Sequence, residues 1–515
     1  MATLSKSKFT SFIQCPKKMW MEIYHPENAV IDEYTQAVLN RGIELGRLAQ
    51  SLFPGAVSSE VFFTDGTQDL SNMIRLTRSM LDGSKPLPPY ITEAAFSFED
   101  CYCAVDILKV INQTTVEIYE VKSSAHHPGD EKSEQKKKDI YLPDVAYQTW
   151  VLRSLGYTVQ KVNIVLLNAD YTLPASLELD IHELFTEIDI TAEVAMYLTS
   201  DFAKKIHDAK YITDMETEPR YTLSLQCRKP YECPFIEFCM KQAGVPENSV
   251  FDLYRATWKK KIEYWSKNIR TFDDVKSEIT ADTQKMQVSC TLENREHVNV
   301  EGIRLWLDRL IYPLYFLDFE SIQPTLPIYE GTHPYQQIPT QYSLHIKQTA
   351  DSPELTHTDY LGNPNSDPRR PLAEKMIADL GTSGSIVVYN KTFEMTRIAE
   401  LAEMYPDLSE ALLNINRRIV DLLEPFSKGY YYVPAMKDSF SIKSVLPALY
   451  PDSEELNYHN LNETVQNGAM AMNVYPMMRT MNEAQVAETR KALLEYCKLD
   501  TLAMVRVMDK LYEKI

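Results

Sequence analysis

The stretch "YFLDFES", residues 315–321, has the apolar pattern of a buried strand but carries two acids. Asp318 and Glu320 are two positions apart, and alternate side chains of a strand share one face, so both carboxylates are expected to point the same way. Charges removed from water are costly unless a partner compensates them. The stretch therefore indicates either an internal cation or a bound metal ion.

The composition is that of an ordinary globular protein, with 515 residues, 44% hydrophobic residues and a formal charge of −19. This length predicts about two to four domains, and the acidic balance argues against one broad basic surface while leaving room for a local basic groove. We find no signal-peptide pattern and no apolar run of about 20 residues. We therefore expect a cytoplasmic protein without a membrane partner.

Two α/β patterns follow one another along the chain. Helical patterns lead into strand patterns at 90–98, 101–111 and 114–124, and residues 1–244 are predicted to form the first domain. Residues 245–310 are mostly helical and are predicted to be a linker, and 311–515 form the second α/β domain. The run at 129–139 contains four lysines and four acids, which predicts a solvated loop.

Two further acids accompany the opening pair in the C-terminal domain. Glu394 follows the strand pattern "SIVVYN" within "NKTFEMTRIAEL", and Asp500 interrupts an apolar stripe of the last helix, one turn after Tyr496. Any one of these acids could pair with an arginine or a helix N-terminus. Four converging carboxylates, however, would repel one another unless divalent cations neutralised them.

The order D-x-E, N-x-x-F-E, Y-x-x-x-D resembles the DnaQ-like exonucleases of the DEDD superfamily, over roughly residues 311–515. The resemblance implies an RNase H-like α/β sheet flanked by helices and a 3′-to-5′ exonuclease. It also implies a site for two Mg²⁺ or Mn²⁺ ions, held by Asp318, Glu320, Glu394 and Asp500. Two ions about 4 Å apart relieve charge on the attacking and leaving oxygens of a phosphodiester.

The final motif resembles the tyrosine branch of that superfamily. Tyr496 stands four positions before Asp500, where this branch has the residue that orients water, and Glu495 stands where the other branch has a histidine. Glu394 departs from the pattern, since the acid of the second motif is usually aspartate. Asn390 and Phe393 match the rest of the second motif and are expected to shape the site.

A second constellation lies in the N-terminal domain. Asp106 belongs to one strand pattern, and Glu120 and Lys122 share a face of the next. The D…E-x-K arrangement is weak alone, because E-x-K occurs on many exposed strands. With Gln148 on the following helix it resembles the RecB-type PD-(D/E)XK nucleases, which have a restriction-endonuclease-like α/β core.

That resemblance implies a metal ion held by Asp106 and Glu120, with Lys122 positioning water and Gln148 completing the site. Many relatives carry a metal-binding histidine in an early helix, where this chain has Gln50. This difference argues against full activity of the first site and is the feature that supports a one-site alternative.

Four of the eight cysteines form a one-plus-three pattern, with Cys15 far upstream of Cys227, Cys233 and Cys239. The pattern resembles the Fe–S clasp of AddB-type and CRISPR-associated RecB-like nucleases, which implies a [4Fe–4S] cluster. Structural zinc, which usually uses closer cysteine pairs, is the main alternative, and unligated core cysteines are the third. The other cysteines are expected to pack in the core.

Both domains together resemble an uncharacterised bacterial family that fuses a RecB-like Fe–S nuclease domain to a DnaQ-like exonuclease domain. Our main hypothesis is a metal-dependent nuclease with two active sites. The alternatives are a one-site exonuclease whose Fe–S domain only binds the strand, and a non-catalytic Fe–S scaffold that binds nucleic acid. The expected partner is single-stranded or frayed nucleic acid, with DNA favoured over RNA. The tyrosine-rich segment 429–451 could stack on bases or pack as core.

Overall fold

The computed structural model describes residues 4–31, 33–461 and 464–515, and the chain divides into two compact units. Unit 1 comprises Met1–Gly244 and Pro324–Gln336, and unit 2 comprises Val245–Gln323 and Gln337–Ile515. Each unit combines helices with a β-sheet, which confirms the mixed α/β class. In the described ranges, no helix is long and apolar enough to cross a membrane.

Unit 1 is built on a sheet of seven strands in its described part. The strands are β1 (Leu4–Ser5), β2 (Ala56–Ser58), β3 (Tyr90–Phe98), β4 (Cys101–Val110), β5 (Thr115–His126), β6 (Thr158–Asn168) and β7 (Phe185–Asp189). They lie in the order β2-β3-β4-β5-β6-β7, and β1 pairs with the start of β4. The β5–β6 pair is parallel, and the β3–β4 and β4–β5 pairs are antiparallel.

The helices of unit 1 are α1 (Lys6–Gln14), α2 (Pro16–Tyr24), α3 (Glu33–Ala49), α4 (Leu70–Leu81), α5 (Glu131–Ser154), α6 (Ile181–Leu184), α7 (Thr191–Tyr197), α8 (Ser200–Thr213) and α9 (Ile236–Gln242). The main core lies between the sheet and α1, α5 and α8, where Phe9, Tyr147 and Phe202 are almost completely buried. This packing holds α5 against the central strands β4 and β5.

Helix α5 begins earlier than the sequence pattern suggested, so the prediction of a loop at 129–139 is wrong. Asp130 caps the helix by accepting hydrogen bonds from the backbone N–H groups of Lys132 and Ser133, both over 3.1 Å. An N-cap aspartate satisfies two donors that the first turn leaves free. The balanced charges at 129–139 therefore lie mainly on a solvated first part of the helix.

Unit 2 contains a five-stranded sheet and a short two-stranded ribbon in its described part. The strands are β8 (His297–Val298), β9 (Leu314–Ile322), β10 (Ile338–Lys347), β11 (Leu355–Leu361), β12 (Ser385–Val388), β13 (Ile419–Asp421) and β14 (Tyr431–Tyr432). The large sheet has the order β11-β10-β9-β12-β13. Strands β9, β12 and β13 are parallel, and β10 runs antiparallel to β9 and β11.

The helices of unit 2 are α10 (Trp258–Ser266), α11 (Phe272–Val275), α12 (Asp282–Leu292), α13 (Val300–Leu307), α14 (Arg369–Leu380), α15 (Thr392–Met404), α16 (Ser409–Arg417), α17 (Glu424–Ser427), α18 (Ile442–Leu449), α19 (Gly468–Met477) and α20 (Glu483–Tyr512). Residues 245–310 belong to this unit, and Ile303 and Trp306 are buried in its core. Tyr431 and Tyr432 of the tyrosine-rich segment are buried there as well, so these two pack rather than offer rings to a ligand.

Candidate metal centre

The opening acids of unit 2 converge with the acid of the last helix. One ligand oxygen from each of Asp318, Glu320 and Asp500 lies within 4.8 Å of the others. The first two project from one face of β9, as the alternation of strand side chains requires, and the third comes from the middle of α20. In the part of the chain that the structure describes, this is the one group of three such ligands at that spacing.

Polar contacts with the neighbouring strand β10 place α20 over this face. Gln341, the partner of Glu320 in the ladder, donates to the carbonyl of Leu493 over 2.8 Å. Ser343, the partner of Asp318, lies 2.8 Å from the hydroxyl of Thr501, next to the third acid. These buried contacts fix the height of the helix along the strand and thereby the position of its carboxylate.

The three carboxyls raise one another's proton affinity. Burial raises the pKa of Asp318 well above its usual range, and the charges of Asp500, Glu320 and Glu394 add to the shift. Burial and the charge of Asp500 likewise raise the pKa of Glu320. Such shifts mark carboxylates that share a site without enough positive charge to balance them.

Glu394 lies close to this group but outside its tightest part. It is buried in the first turn of α15, and its Oε2 atom has no hydrogen-bond partner. Burial, with a contribution from Asp421, raises the pKa of Glu394 to about 8. A buried carboxylate oxygen without a donor is costly, and a metal ion would supply the missing partner.

Two tyrosines hold the carboxylate of α20. Tyr458 donates to Asp500 Oδ1 over 2.5 Å, and Tyr496 also donates to this carboxyl. Burial and the charges of Asp500, Glu320 and Asp318 raise the pKa of Tyr496, so its phenol stays protonated. The predicted tyrosine therefore lies in the acidic site as a hydrogen-bond donor.

The acids line a cavity of about 460 Å³ within unit 2. Lys443, near the start of α18, also lines it, and its Nζ atom lies 5.6 Å from the ring centre of Tyr496 and 5.8 Å from that of Tyr458. Its positive charge lowers the pKa values of Glu320 and Asp500, but burial, which raises both values, has the larger effect. An exposed lysine beside the acids is thus available to an anionic ligand in the cavity.

The donor set fits divalent cations. Carboxylate oxygens are the preferred ligands of Mg²⁺ and Mn²⁺, and the raised pKa values show that cations of this kind would relieve the repulsion. The free oxygen of Glu394 adds a fourth carboxylate near the group.

The predicted residues of unit 1 also come together, around Lys6, a residue that the sequence analysis did not include. Lys6 Nζ lies 3.2 Å from Asp106 Oδ1 and 2.8 Å from Glu120 Oε1. Lys122 Nζ lies 2.8 Å from the same Glu120 oxygen and 2.5 Å from Asp144 Oδ2. An ammonium group therefore lies where a metal ion shared by the two predicted ligands would bind, and the set does not fit a metal ion in this arrangement.

Gln148 completes this cluster on α5. Its Nε2 atom donates to Glu120 Oε2 over 2.8 Å and to Asp144 Oδ1 over 3.0 Å, and its Oε1 atom is buried without a partner. Among the described contacts, Gln50 makes none to this cluster and begins a short 3₁₀ turn after α3. Asp144 could have been found from sequence, because it precedes Gln148 by one helical turn.

The electrostatics of the cluster differ from those of unit 2. Burial opposes ionisation of Asp144, but Lys122 and Lys6 outweigh it and lower the pKa of Asp144. The carboxylates likewise raise the pKa of both lysines against the effect of burial. Burial and the charge of Asp106 raise the pKa of Glu120, so this carboxyl shifts in the direction opposite to Asp144.

The four cysteines of the one-plus-three pattern lie near one another in unit 1. Burial, the largest cause, raises the pKa of Cys233 to about 11, and the charges of Cys15 and Cys239 add to the shift. Burial also raises the pKa of Cys239, with contributions from the charges of Cys227 and Cys15. Gln14, next to the first cysteine, donates to the carbonyls of Gln226 and Tyr231 over 2.9 and 2.8 Å. Helix α1 is thereby tied to the segment that carries the other three.

The sulphur atoms are more widely spaced than the acids of unit 2. No three of them lie within 4.8 Å of one another in the described structure, whereas thiolates about 2.3 Å from one tetrahedral Zn²⁺ would be closer than that. The four remaining cysteines are buried, as expected. One of them, Cys497, also donates its thiol hydrogen to Asp318 Oδ2 over 3.8 Å, a contact that its position on α20 did not suggest.

Comparison with known families and proteins covers part of the chain. A family model described as a domain of unknown function (DUF2779) matches residues 315–441, which contain Asp318, Glu320 and Glu394. An uncharacterised protein of Ureaplasma parvum is 27% identical over 211 residues, which are 37% of this chain and 30% of that protein. An uncharacterised protein of Mycoplasma pneumoniae is 25% identical over 205 residues, 37% of this chain and 31% of the relative. The match thus spans about 30% of the length of these relatives.

Proposed function

We propose that unit 2 is a metal-dependent nuclease of the DnaQ-like, tyrosine type that removes nucleotides from the 3′ end of a strand. The observation that carries this proposal is the convergence of the oxygens of Asp318, Glu320 and Asp500 within 4.8 Å. Glu394 and Tyr496, the other residues of the motif, lie beside them.

The architecture of unit 2 supports the same proposal. A central parallel pair, β9 and β12, is extended on one side by the antiparallel strands β10 and β11. The first acids lie on the central strand, and the last acid lies on the long helix packed over it. This is the arrangement that we expect of an RNase H-like domain, in which each motif comes from a different element around one site.

Asp318, Glu320, Glu394 and Asp500 would hold the divalent cations, which would supply positive charge beside the phosphate. Tyr496 remains a neutral phenol whose hydroxyl can orient a water molecule, and Tyr458 keeps Asp500 in place. Lys443 also lines the cavity, and its ammonium lies over the rings of these two tyrosines. From this position it can contact a phosphate group of the strand.

The cavity suggests what the site accepts. Its volume of about 460 Å³ suits one small molecule or one terminal nucleotide, and it is too small for a duplex. Phe440 and Tyr389 contribute aromatic surface to its wall, on which a base or sugar could rest. We therefore propose single-stranded or frayed ends as the substrate, with DNA favoured over RNA on the resemblance of unit 1 to RecB-type nucleases.

For unit 1 we propose that Cys15, Cys227, Cys233 and Cys239 hold a [4Fe–4S] cluster. The one-plus-three pattern and the mutual influence of these thiols in the fold support this proposal. When bound, the cluster would cross-link α1 to the end of unit 1. We do not include the predicted second nuclease site at Asp106 and Glu120 in this proposal, because Lys6 bridges its two acids.

The proposal is tested by incubating the full-length protein with uniformly labelled single-stranded DNA and RNA in parallel. We expect Mn²⁺-dependent release of mononucleotides, complete loss with excess chelator, and loss of release in Asp500→Asn. Release that persists in Asp500→Asn, or release that needs no metal, would contradict it.

A further inference from the structure

The position of Lys6 distinguishes the acidic cluster of unit 1 from that of unit 2. Its ammonium bridges Asp106 and Glu120, the two residues that would hold a metal ion in a PD-(D/E)XK nuclease, at 3.2 and 2.8 Å. The two carboxylates lie on adjacent strands, and Asp106 Oδ2 is engaged by the backbone N–H of Val121 over 2.9 Å. Asp106 Oδ1 and Glu120 Oε1 are therefore both committed to the lysine.

The backbone on both sides of Lys6 is anchored. Leu4 pairs with Cys101 in the β1–β4 ladder, and its carbonyl accepts a hydrogen bond from the buried hydroxyl of Tyr147 over 2.5 Å. Phe9, one turn further along α1, is fully buried and stacks on Tyr147 with ring centres 5.0 Å apart. The ammonium is thus delivered to the acids by ordered structure and not by a loose terminus.

The neighbouring carboxylates stabilise the charged form of Lys6 at this position. Lys6 is the first residue of α1, where the helix dipole disfavours a positive charge. The carboxylates compensate for that position and raise the pKa of the lysine despite its burial. In return, Lys6 and Lys122 supply two positive charges against the carboxylates of Asp106, Glu120 and Asp144.

The two ammonium groups nearly balance the three carboxylates that they contact. A divalent cation placed among these residues would face both ammonium groups at short range, whereas the acids of unit 2 have a single lysine in the cavity wall.

We propose that Lys6 is a built-in counter-ion that takes the place of a divalent cation in unit 1. With Lys6 present, the cluster of Asp106, Glu120 and Asp144 binds no divalent cation and acts as an ion-pair network joining α1, β4, β5 and α5. Removal of the Lys6 charge creates a cation site from the released carboxylates, with Gln148 Oε1 as a further free acceptor.

The test measures Mn²⁺ bound per chain by equilibrium dialysis of the full-length protein. The background is the double variant Asp318→Asn/Asp500→Asn, which removes two of the four acids of the unit 2 site. In this background we expect no Mn²⁺ binding that depends on Glu120. Adding Lys6→Met should introduce about one Mn²⁺ per chain, at least about tenfold tighter than the background, whereas the exposed control Lys204→Met should introduce none.

The Lys6→Met variant leaves the acids unpaired and could be too unstable to purify. The further variant Lys6→Met/Glu120→Gln removes one charge of each sign, so it should fold and bind no Mn²⁺. Binding in the background with Lys6 intact, lost on Glu120→Gln, would overturn the proposal without any Lys6 variant. A folded Lys6→Met that gains no Mn²⁺ would also overturn it. Both readouts concern unit 1 and are independent of whether unit 2 is a nuclease.

Discussion

The hydroxyl of Tyr458 donates a 2.5 Å hydrogen bond to Asp500, the carboxylate that α20 brings to the acids of β9. The tyrosine comes from a 3₁₀ turn more than forty residues upstream, so a separate segment of the chain orients this ligand. Groups that orient metal ligands commonly change metal affinity or activity about 10- to 100-fold when they are removed.

We expect Tyr458→Phe to reduce the Mn²⁺-dependent activity by about 10- to 100-fold, because Asp500 loses a donor while the ring that packs beside Tyr496 is kept. The measurement is kcat/KM on a short single strand. Tyr450→Phe is the matched control, since its hydroxyl donates to the carbonyl of Arg506 on the same helix, away from the acids. Equal effects of the two variants would contradict a role of Tyr458 in the site.

Lys443 should matter for catalysis more than for stability. Its side chain is exposed, so Lys443→Met should leave the melting temperature nearly unchanged. Loss of a positive group beside a reacting phosphate should lower kcat/KM by about 100-fold. The exposed lysine Lys491 on α20 provides the control variant Lys491→Met. A normal rate in Lys443→Met would remove this residue from the proposed phosphate contact.

Mn²⁺ uptake by unit 2 should strengthen as the pH rises from 6 to 8. The pKa of Glu394 is raised to about 8 and those of Asp318 and Glu320 are raised well above their usual range, so these carboxyls favour the protonated form in the metal-free protein and a metal ion must displace their protons. Each displaced proton changes the apparent affinity about tenfold per pH unit in this window. Calorimetric titration with Mn²⁺ at pH 6, 7 and 8 measures the effect, and equal affinity at all three would contradict it.

The same shifts set the pH dependence of the metal-free protein. A carboxyl whose folded pKa exceeds its unfolded value of about 4 binds protons more tightly when folded. Its stabilising effect is complete below that unfolded value and is lost as the pH rises toward about 8 for Glu394. The gain in melting temperature on adding Mn²⁺ should therefore grow over the same range, and less so in Glu394→Gln.

The cysteine site predicts a specific metal content. Anaerobically purified wild type should contain about four irons per chain and show the visible absorbance of a cluster, and Cys227→Ser should lose both. Cys290→Ala, which changes a buried cysteine of unit 2, should keep them. One zinc per chain with no iron would contradict the proposal and favour the alternative of a structural zinc site.

The sequence predicted the elements well where the apolar pattern marked a whole strand or one face of a helix for burial. The pattern at 90–98 coincides with β3, and the stripe of α20 that contains Leu493 and Val507 is buried as its spacing required. The acids at 318 and 320 were found for the same reason, because period-two alternation leaves no other face for them. The loop predicted at 129–139 failed because the helix cap at Asp130 outweighed the charge pattern.

The residues that sequence reasoning missed reach the sites from distant segments. Lys6 lies 100 positions from Asp106, and Tyr458 lies 42 positions from Asp500. Neither distance leaves a periodic signal, since these pairs form only when the sheet and helices have packed. Local patterns thus identified most of the acids together with Lys122, Gln148 and Tyr496, while Lys6 and Tyr458 could be assigned only from the folded structure.

The central claim is that the acids of unit 2 hydrolyse a nucleic-acid strand from its 3′ end. The most direct measurement is a time course on 5′-labelled single-stranded DNA and RNA with Mn²⁺, for wild type, Asp318→Asn and Glu120→Gln. We predict a ladder that shortens one nucleotide at a time from the 3′ end in wild type and Glu120→Gln, and no shortening in Asp318→Asn. Undiminished shortening in Asp318→Asn, or no cleavage of either strand by wild type, would contradict the account.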